Sequence, residues 1–304
     1  MVVAGPSHLF RHEARPDGDV LVPTDLVRGP WDPTLLHGGA VSGALTWAIV
    51  RERARLGAAV TAGGGSPNGG SGAAAGDSSQ LCRLTVEILR PVPVGPLAVA
   101  AETVRAGRRS QVLSAELRSG ESTDGQLVAR ASSLWSQLRP RGRAAPVQVP
   151  VDAAVPRRPT IATDPGASAA VGYPRPGFNC DVFELRCLVG STEDPGPGVV
   201  WTRLKTGLVE GHPTGPVELL GTVADLANAV GWDRSPNGQP MINPDLTLQV
   251  LRYPRGEWVC LDARPAATAE GIGMMETTLW DGDGRFGRVL STTVESPVSL
   301  AVDL

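Results

Sequence analysis

The chain repeats itself, and this internal repeat limits its possible folds more than any other feature. Residues 84–90 (Leu-Thr-Val-Glu-Ile-Leu-Arg) resemble residues 246–252 (Leu-Thr-Leu-Gln-Val-Leu-Arg), which follow 162 residues later. Asp124-Gly125 recurs as Asp283-Gly284, 159 residues later. Both copies place an alternating strand pattern, a proline turn and an Asp-Gly hairpin signal in the same order. The repeat predicts a tandem duplication of one α+β unit.

Each copy also contains a mostly apolar stretch that predicts a central helix. In the first copy this helix starts at His37-Gly38-Gly39 and is expected to end near Leu56. Because apolar residues fill most of its circumference, we expect a sheet to wrap around it. Its start presents backbone N–H groups at the positive end of the helix dipole, where an oxygen carrying negative charge can bind. Residues 218–230 are the corresponding helix of the second copy.

Period-2 patterns predict the strands. Four of them follow the first helix and are expected to pair as antiparallel strands, at residues 82–89, 97–105, 111–118 and 127–137. An earlier pattern at Val20–Pro23 predicts an edge strand, because proline has no N–H to donate to a neighbouring strand.

Two stretches of biased composition divide the chain. Residues 57–79 are mostly Gly, Ala and Ser and predict a flexible insertion, because such a segment buries too little apolar surface to become ordered. Residues 140–176 are rich in Pro, Ala and Arg and predict a linker. The expected units are therefore residues 1–139 and residues 177–304.

Composition argues against several classes of function. A net charge of −3 offers no basic surface for nucleic acid. The four cysteines form no Cys/His cluster, so neither a zinc site nor a disulfide framework is indicated. The N-terminus does not resemble a signal peptide, and no apolar run reaches the length of a membrane span. We therefore expect a cytoplasmic protein that does not bind membranes.

A long helix wrapped by an antiparallel sheet, duplicated in one chain, resembles the hotdog fold. His37-Gly38-Gly39 before an apolar helix is similar to the hotdog thioesterases. Residues 243–247, 252–258 and 283–285 resemble the C-terminal half of acyl-CoA thioesterase II-like double-hotdog proteins. The resemblance covers nearly the whole chain except the insertion and the linker. It implies an α+β tandem (double) hotdog fold, in which two curved antiparallel sheets are each wrapped around a central helix.

The resemblance also implies a set of catalytic residues. In the thioesterase II group, an Asp on the second central helix, a Thr on the next strand and a Gln near the chain end hold the attacking water. Asp225 matches the Asp, Asn243 falls at the Thr position, and Val294 stands where the Gln would be. A valine cannot hold water, but a shift of one residue in the strand register brings Thr292 or Thr293 to that place. Asp225, Asn243 and Thr293 are the resulting catalytic candidates.

The implied reaction is the hydrolysis of an acyl-CoA, or a similar acyl thioester, to a carboxylic acid and free CoA, without a metal or cofactor. His37, Gly38 and Gly39 are the substrate-binding candidates, since N–H groups at a helix start can stabilise an oxyanion. Two structural interpretations stay open. Asp225 can pair with a backbone N–H or an arginine without any chemical role, and His37 can simply cap the helix.

Other functions also stay open. The Val294 departure favours a non-catalytic acyl-CoA-binding protein on a degenerate double-hotdog scaffold. A hotdog hydratase would need an Asp–His pair, and His212 is the histidine nearest to Asp225 along the chain. The absence of Gly-x-Ser-x-Gly argues against an α/β-hydrolase. From the resemblance we also expect a role in lipid metabolism and association into a homo-oligomer.

Overall fold

The computed structural model describes eight segments of the chain. They are residues 7–16, 18–30, 32–62, 79–138, 154–163, 176–190, 195–231 and 241–295. Most of the predicted insertion and of the predicted linker lies outside these residues. No helix in the described segments is long and apolar enough to cross a membrane.

The N-terminal half consists of strands around one long helix. Its elements are β1 His8–Arg15, β2 Gly18–Pro23, a short 3-10 helix Asp25–Val27, α1 Gly38–Ala62, β3 Ser79–Ile88, β4 Leu97–Ala106, β5 Ser110–Ser119 and β6 Leu127–Gln137. The four strands expected after the first helix are therefore present, as β3 to β6.

The C-terminal half begins with a five-residue π-helical turn, Phe178–Val182. The elements that follow are β7 Phe183–Val189, β8 Gly198–Leu204, β9 Gly207–Val209, α2 Pro216–Ala224, α3 Ala227–Val230, β10 Met241–Ile242, β11 Asp245–Val250, β12 Trp258–Ala267, β13 Ile272–Asp281 and β14 Gly284–Glu295.

These strands join into one sheet, in the order β7-β8-β12-β13-β14-β11-β3-β6-β5-β4-β2-β1-β9, with β10 beside β14. The named strands pair antiparallel except for β1 and β9, which are parallel. Only Lys205 and Thr206 separate β8, near one end of this order, from β9 at the other end. A link of that length spans about 10 Å. The sheet must therefore curl round until its two ends are close together.

The two copies of the sequence repeat meet in the middle of this sheet. β3 and β11 pair antiparallel, with Leu84 opposite Leu248 and Thr85 opposite Thr247. The Oγ1 atoms of the two threonines lie 3.2 Å apart, within hydrogen-bond distance. Thr85 and Thr247 are also equivalent positions of the repeat. A local twofold axis therefore passes between them and relates the two β-strands of the repeat.

Two predictions from the sequence are wrong in the N-terminal half. β2 is not an edge strand, because it pairs with β1 on one side and β4 on the other. Pro23 is the last residue of β2, where a missing N–H costs little. The first helix continues past Leu56 to Ala62, into the predicted insertion. Alanine favours helix, and extending an existing helix requires no new nucleation.

The long helix α1 packs directly against α2, inside the sheet. A Cβ atom on Gly43 would lie 2.7 Å from Oγ1 of Thr222, and one on Gly38 would lie 2.6 Å from Oδ2 of Asp225. Later residues of α1 thus meet earlier residues of α2, so the two helices run antiparallel. As a result, the start of α1 lies against the end of α2.

Candidate active site

Asp225 lies where the second central helix breaks. We expected one helix over residues 218–230, but α2 ends at Ala224 and α3 starts at Ala227. Asp225 is the C-cap of α2, and the N–H groups of Asp225 and Leu226 both donate to the carbonyl of Val223, which tightens the last turn. The prediction of one continuous helix is wrong here because the chain turns at Asp225. This turn places the Asp225 carboxylate against the start of α1.

Three donors surround the Asp225 carboxylate. The Asn243 amide nitrogen Nδ2 donates to Oδ1 at 2.6 Å, and Nδ1 of His37 lies 3.1 Å from Oδ2. The backbone N–H of Gly39 is the third donor. Asp225 is only 5% exposed, so these donors replace most of its hydration. The structure thus brings together Asp225 and Asn243 from the C-terminal half and His37 and Gly39 from the N-terminal half.

The surroundings keep Asp225 ionised. Burial by itself raises the pKa of the Asp225 carboxyl, because it removes water from the charged form. The hydrogen bond and the electrostatic attraction of His37, together with hydrogen bonds from Asn243 and Gly39, stabilise the carboxylate and outweigh burial. The pKa of Asp225 is therefore held below its ordinary value.

Gly38 leaves the space that this carboxylate occupies. A Cβ atom at residue 38 would lie 2.6 Å from Oδ2 and 2.7 Å from Oδ1 of Asp225. Real Cβ contacts are essentially never shorter than 3.0 Å. Any residue other than glycine would therefore push the carboxylate away from the start of α1.

Gly38 also supplies a backbone donor at the start of α1. The N–H groups of Ala40 and Val41 donate to the carbonyl of His37, and that of Gly39 points to His37 Nδ1 and Asp225. Within the described residues, no hydrogen bond satisfies the N–H of Gly38. Of the two glycines predicted to bind the oxyanion, Gly38 therefore retains the available donor.

The ring of His37 is held on both sides. Its Nδ1 lies 2.9 Å from the N atom of Gly39, and the ring stacks on Phe178 with a centroid distance of 4.2 Å and an angle of 15°. Phe178 belongs to the π-helical turn before β7 and has no exposed surface. The sequence analysis missed Phe178, because no local pattern links it to a residue more than a hundred positions earlier.

The histidine beside Asp225 is His37 and not His212. Nε2 of His212 lies 3.4 Å from Nδ1 of His12, and Nε2 of His12 lies 2.7 Å from Oδ1 of Asp19. This cluster is formed by β1, β2 and the loop after β9. Distance along the chain suggested His212, but the antiparallel packing of α1 and α2 brings His37 to Asp225 instead.

Thr293 lies on the inward face of the last strand. Thr293 is buried, whereas its neighbours Thr292 and Val294 are more exposed, as expected for alternating sides of β14. β10 pairs with β14 so that Ile242 faces Val294. Extending this register by one residue sets Asn243 opposite Thr293. Among the described residues, Thr293 makes no hydrogen bond to Asp225 or Asn243, so the structure places it near the site without joining it to the other two.

No group of three or more His, Cys, Asp and Glu side chains in the described segments is arranged to hold a metal ion. The polar groups at the start of α1 can instead orient a water molecule and stabilise negative charge on a carbonyl oxygen.

Comparison with known proteins agrees with this architecture. Residues 27–136 match the family model for the acyl-CoA thioesterase N-terminal domain, and residues 151–289 match that for the acyl-CoA thioesterase C-terminal domain. No curated protein matches the chain significantly.

Several solved structures have a similar fold at low sequence identity. A candidate thioesterase II from Thermobifida fusca is 13% identical, with 95% of this chain and 96% of that chain covered and a TM-score of 0.62. The TesB protein of Mycobacterium avium subsp. paratuberculosis is 15% identical, with 94% and 96% covered and a TM-score of 0.57. A hot dog fold protein from Alicyclobacillus acidocaldarius is 16% identical, with 95% and 96% covered and a TM-score of 0.54. The chain has a hotdog fold and belongs to the acyl-CoA thioesterase II-like family.

Proposed function

We propose that this protein hydrolyses an acyl-CoA, or a similar acyl thioester, to a carboxylic acid and free CoA. The observation that supports this most strongly is the ionised, buried carboxylate of Asp225 at the start of α1, in a chain of a thioesterase family. The scaffold is a double hotdog, with one hotdog domain in residues 1–139, a linker in residues 140–176 and the second domain in residues 177–304. The site of action is the cytoplasm.

In this proposal the start of α1 binds the reacting carbonyl. The N–H of Gly38 donates to the thioester oxygen, and the donated bond strengthens as negative charge develops on that oxygen. The dipole of the 25-residue helix α1 adds to this stabilisation. His37 and Gly39 do not bind the substrate oxygen, because both are engaged with Asp225.

Asp225 orients the attacking water with the help of Asn243 and Thr293. A carboxylate offers about four lone-pair directions, so acceptance from the three donors leaves one for a water O–H. The Thr293 hydroxyl lies on the same side of the sheet as Asn243 and provides a second polar group for that water. This role of Thr293 compensates for Val294 at the position where the family has Gln.

The reaction needs only water as co-reactant. The water oxygen attacks the thioester carbon and its proton moves towards Asp225, giving a tetrahedral oxyanion beside Gly38. The carbon–sulfur bond then breaks, the carbonyl re-forms, and the CoA sulfur leaves with the proton. Hydrolysis of this kind requires neither a metal nor an organic cofactor.

The first test is release of free thiol from a panel of acyl-CoAs of short to long chain. We expect turnover with at least one chain length and a loss of about 100-fold or more in Asp225→Asn. Asp283→Asn is a matched control, since Asp283 is an exposed carboxylate that pairs with Arg255 on the surface. Equal activity of Asp225→Asn and the unmodified chain would refute the assignment of Asp225.

Two outcomes of the same panel would replace the proposal. Saturable binding of one acyl-CoA without thiol release would identify a binding protein, the function that Val294 favours. Because His37 lies beside Asp225, the panel includes a trans-2-enoyl-CoA. Formation of the 3-hydroxyacyl-CoA without thiol release would identify a hydratase.

A further inference from the structure

Two contacts of His37 require opposite protonation of Nδ1. The choice between them determines whether this nitrogen carries a proton. Nδ1 of His37 lies 2.9 Å from the N–H of Gly39, which requires a lone pair on Nδ1. The same Nδ1 lies 3.1 Å from Oδ2 of Asp225, which requires a proton on Nδ1 if Asp225 is ionised. One nitrogen cannot do both at once.

The proton on Nδ1 satisfies more groups. With a lone pair on Nδ1, two acceptors would face each other at 3.1 Å in a buried site, unless Asp225 took up a proton. With N–H on Nδ1, Asp225 accepts from His37, and the Gly39 N–H donates to the same carboxylate. Every donor around Asp225 then points to an acceptor.

We propose that His37 is a positioning residue for Asp225, which it holds in place through a proton on Nδ1, and that the reaction depends on this contact rather than on one from Nε2 to the substrate. The proposal rests on the proposed function for its kinetic consequences but not for the protonation of the ring. It corrects the expectation that His37 binds substrate. It also leaves Gly38, and not His37, as the donor to the developing oxyanion.

Stacking on Phe178 holds the plane of the His37 ring, and the contacts of Nδ1 with Gly39 and Asp225 identify the edge that faces the carboxylate. A centroid distance of 4.2 Å and an angle of 15° fix the plane of the His37 ring. His37 is only 7% exposed, so the ring has little freedom to turn. With the ring plane fixed in this way, Nδ1 is the ring nitrogen that contacts Asp225.

A pair of amide substitutions tests which ring nitrogen matters. The amide nitrogen of asparagine overlays Nδ1 of histidine, whereas that of glutamine overlays Nε2. We expect His37→Asn to retain most of the activity. We expect His37→Gln to lose about 10- to 100-fold in kcat, with KM changed by less than about threefold, because a displaced carboxylate impairs the reaction more than binding.

The pH profile separates positioning from a merely structural role. In His37→Gln the donor at Nδ1 is lost, which raises the pKa of Asp225. The decrease in kcat at low pH therefore begins at a higher pH in this variant. In His37→Asn this decrease stays near its original position. Higher activity of His37→Gln than of His37→Asn, with equal melting temperatures, would overturn the proposal and assign the function to Nε2.

A spectroscopic measurement tests the proton without any substrate. The chain has four histidines, so ¹⁵N-histidine labelling gives few ring signals, and His37→Asn assigns that of His37. We expect a proton on Nδ1 of His37, and a changed signal in Asp225→Asn. A ring protonated on Nε2 but not on Nδ1 would refute the proposal even in an active enzyme. Failure of the thioesterase assay with the expected spectrum would refute the proposed function alone.

Discussion

The substitution Gly38→Ala tests the geometry of the site by adding one methyl group. A Cβ atom at residue 38 would lie 2.6 Å from Oδ2 of Asp225, whereas comfortable contacts begin near 3.4 Å. The carboxylate must therefore move away from α1 by about 0.8 Å. A movement of this size lengthens the 3.1 Å distance to Nδ1 of His37 by at most that amount, to about 3.9 Å, which is beyond hydrogen-bond range.

The expected cost follows from that movement. A lost hydrogen bond to a charged, buried group costs about 1.5–3 kcal/mol. Alanine within a helix would otherwise add about 0.5–1 kcal/mol of stability relative to glycine. We therefore expect Gly38→Ala to lower the free energy of unfolding by about 1–2 kcal/mol. A misplacement of nearly 1 Å at the carboxylate should also reduce kcat/KM about 100-fold.

The same helix provides a matched control. Gly57 also lies in α1, but a Cβ atom there would have no neighbour within 4 Å. We expect Gly57→Ala to retain full activity and to gain up to about 1 kcal/mol of stability. Thiol release and urea unfolding measure both variants. If Gly38→Ala is as active and as stable as Gly57→Ala, the carboxylate of Asp225 does not lie over Gly38, and the derived site is wrong.

Three further predictions concern Arg252 between β11 and β12, Asp281 at the end of β13, and Thr293 on β14. Arg252→Ala should destabilise the protein by about 3–5 kcal/mol in urea unfolding, because it leaves the fully buried Asp281 carboxylate without its paired guanidinium; a loss below 1 kcal/mol would contradict this. Burial raises the pKa of Asp281, but Arg252 and two backbone N–H groups lower it to about 2. Because the pKa of Asp281 is lower in the folded than in the unfolded protein, its carboxylate stabilises the fold above about pH 4. This contribution of about 2 kcal/mol is lost as the pH falls towards 2. Over that pH range, the free energy of unfolding of Asp281→Asn should decrease less than that of the unmodified protein. Thr293→Val should lower kcat about tenfold with little change in stability, whereas Val294→Ala, on the other face of β14, should leave kcat unchanged; equal kinetics of the two variants would remove Thr293 from the site.

Much of the fold could be predicted from local patterns. Alternating apolar residues mark which face of a strand is buried, and this signal located β3 to β6 to within a few residues. The repeat of residues 84–90 at 246–252 identified the two strands that now face each other at Thr85 and Thr247. Patterns of this kind arise because each element must bury one face, whatever its partner.

Local patterns give a wrong prediction, or leave a choice open, where the outcome depends on the element that packs alongside. The position of β2 depends on β1, and the helix break at Asp225 depends on the contact with α1. The choice between Thr293 and Val294 depends on the face of β14, which a shift of one residue would reverse. None of these relations produces a periodic pattern of apolar residues in the sequence.

The sequence by itself determined the duplicated unit and the helix that starts at His37-Gly38-Gly39, and its resemblance to the thioesterase II group supplied the candidates Asp225 and Asn243. The tertiary structure alone decided that His37 meets Asp225 across 188 residues of chain, and that the N–H of Gly38 makes no hydrogen bond with the part of the chain that the structure describes. The physical reason is that local periodicity encodes burial, whereas the meeting of two helix ends follows from the antiparallel packing of α1 on α2. A site built from residues of both halves is complete only when the two halves are packed against each other.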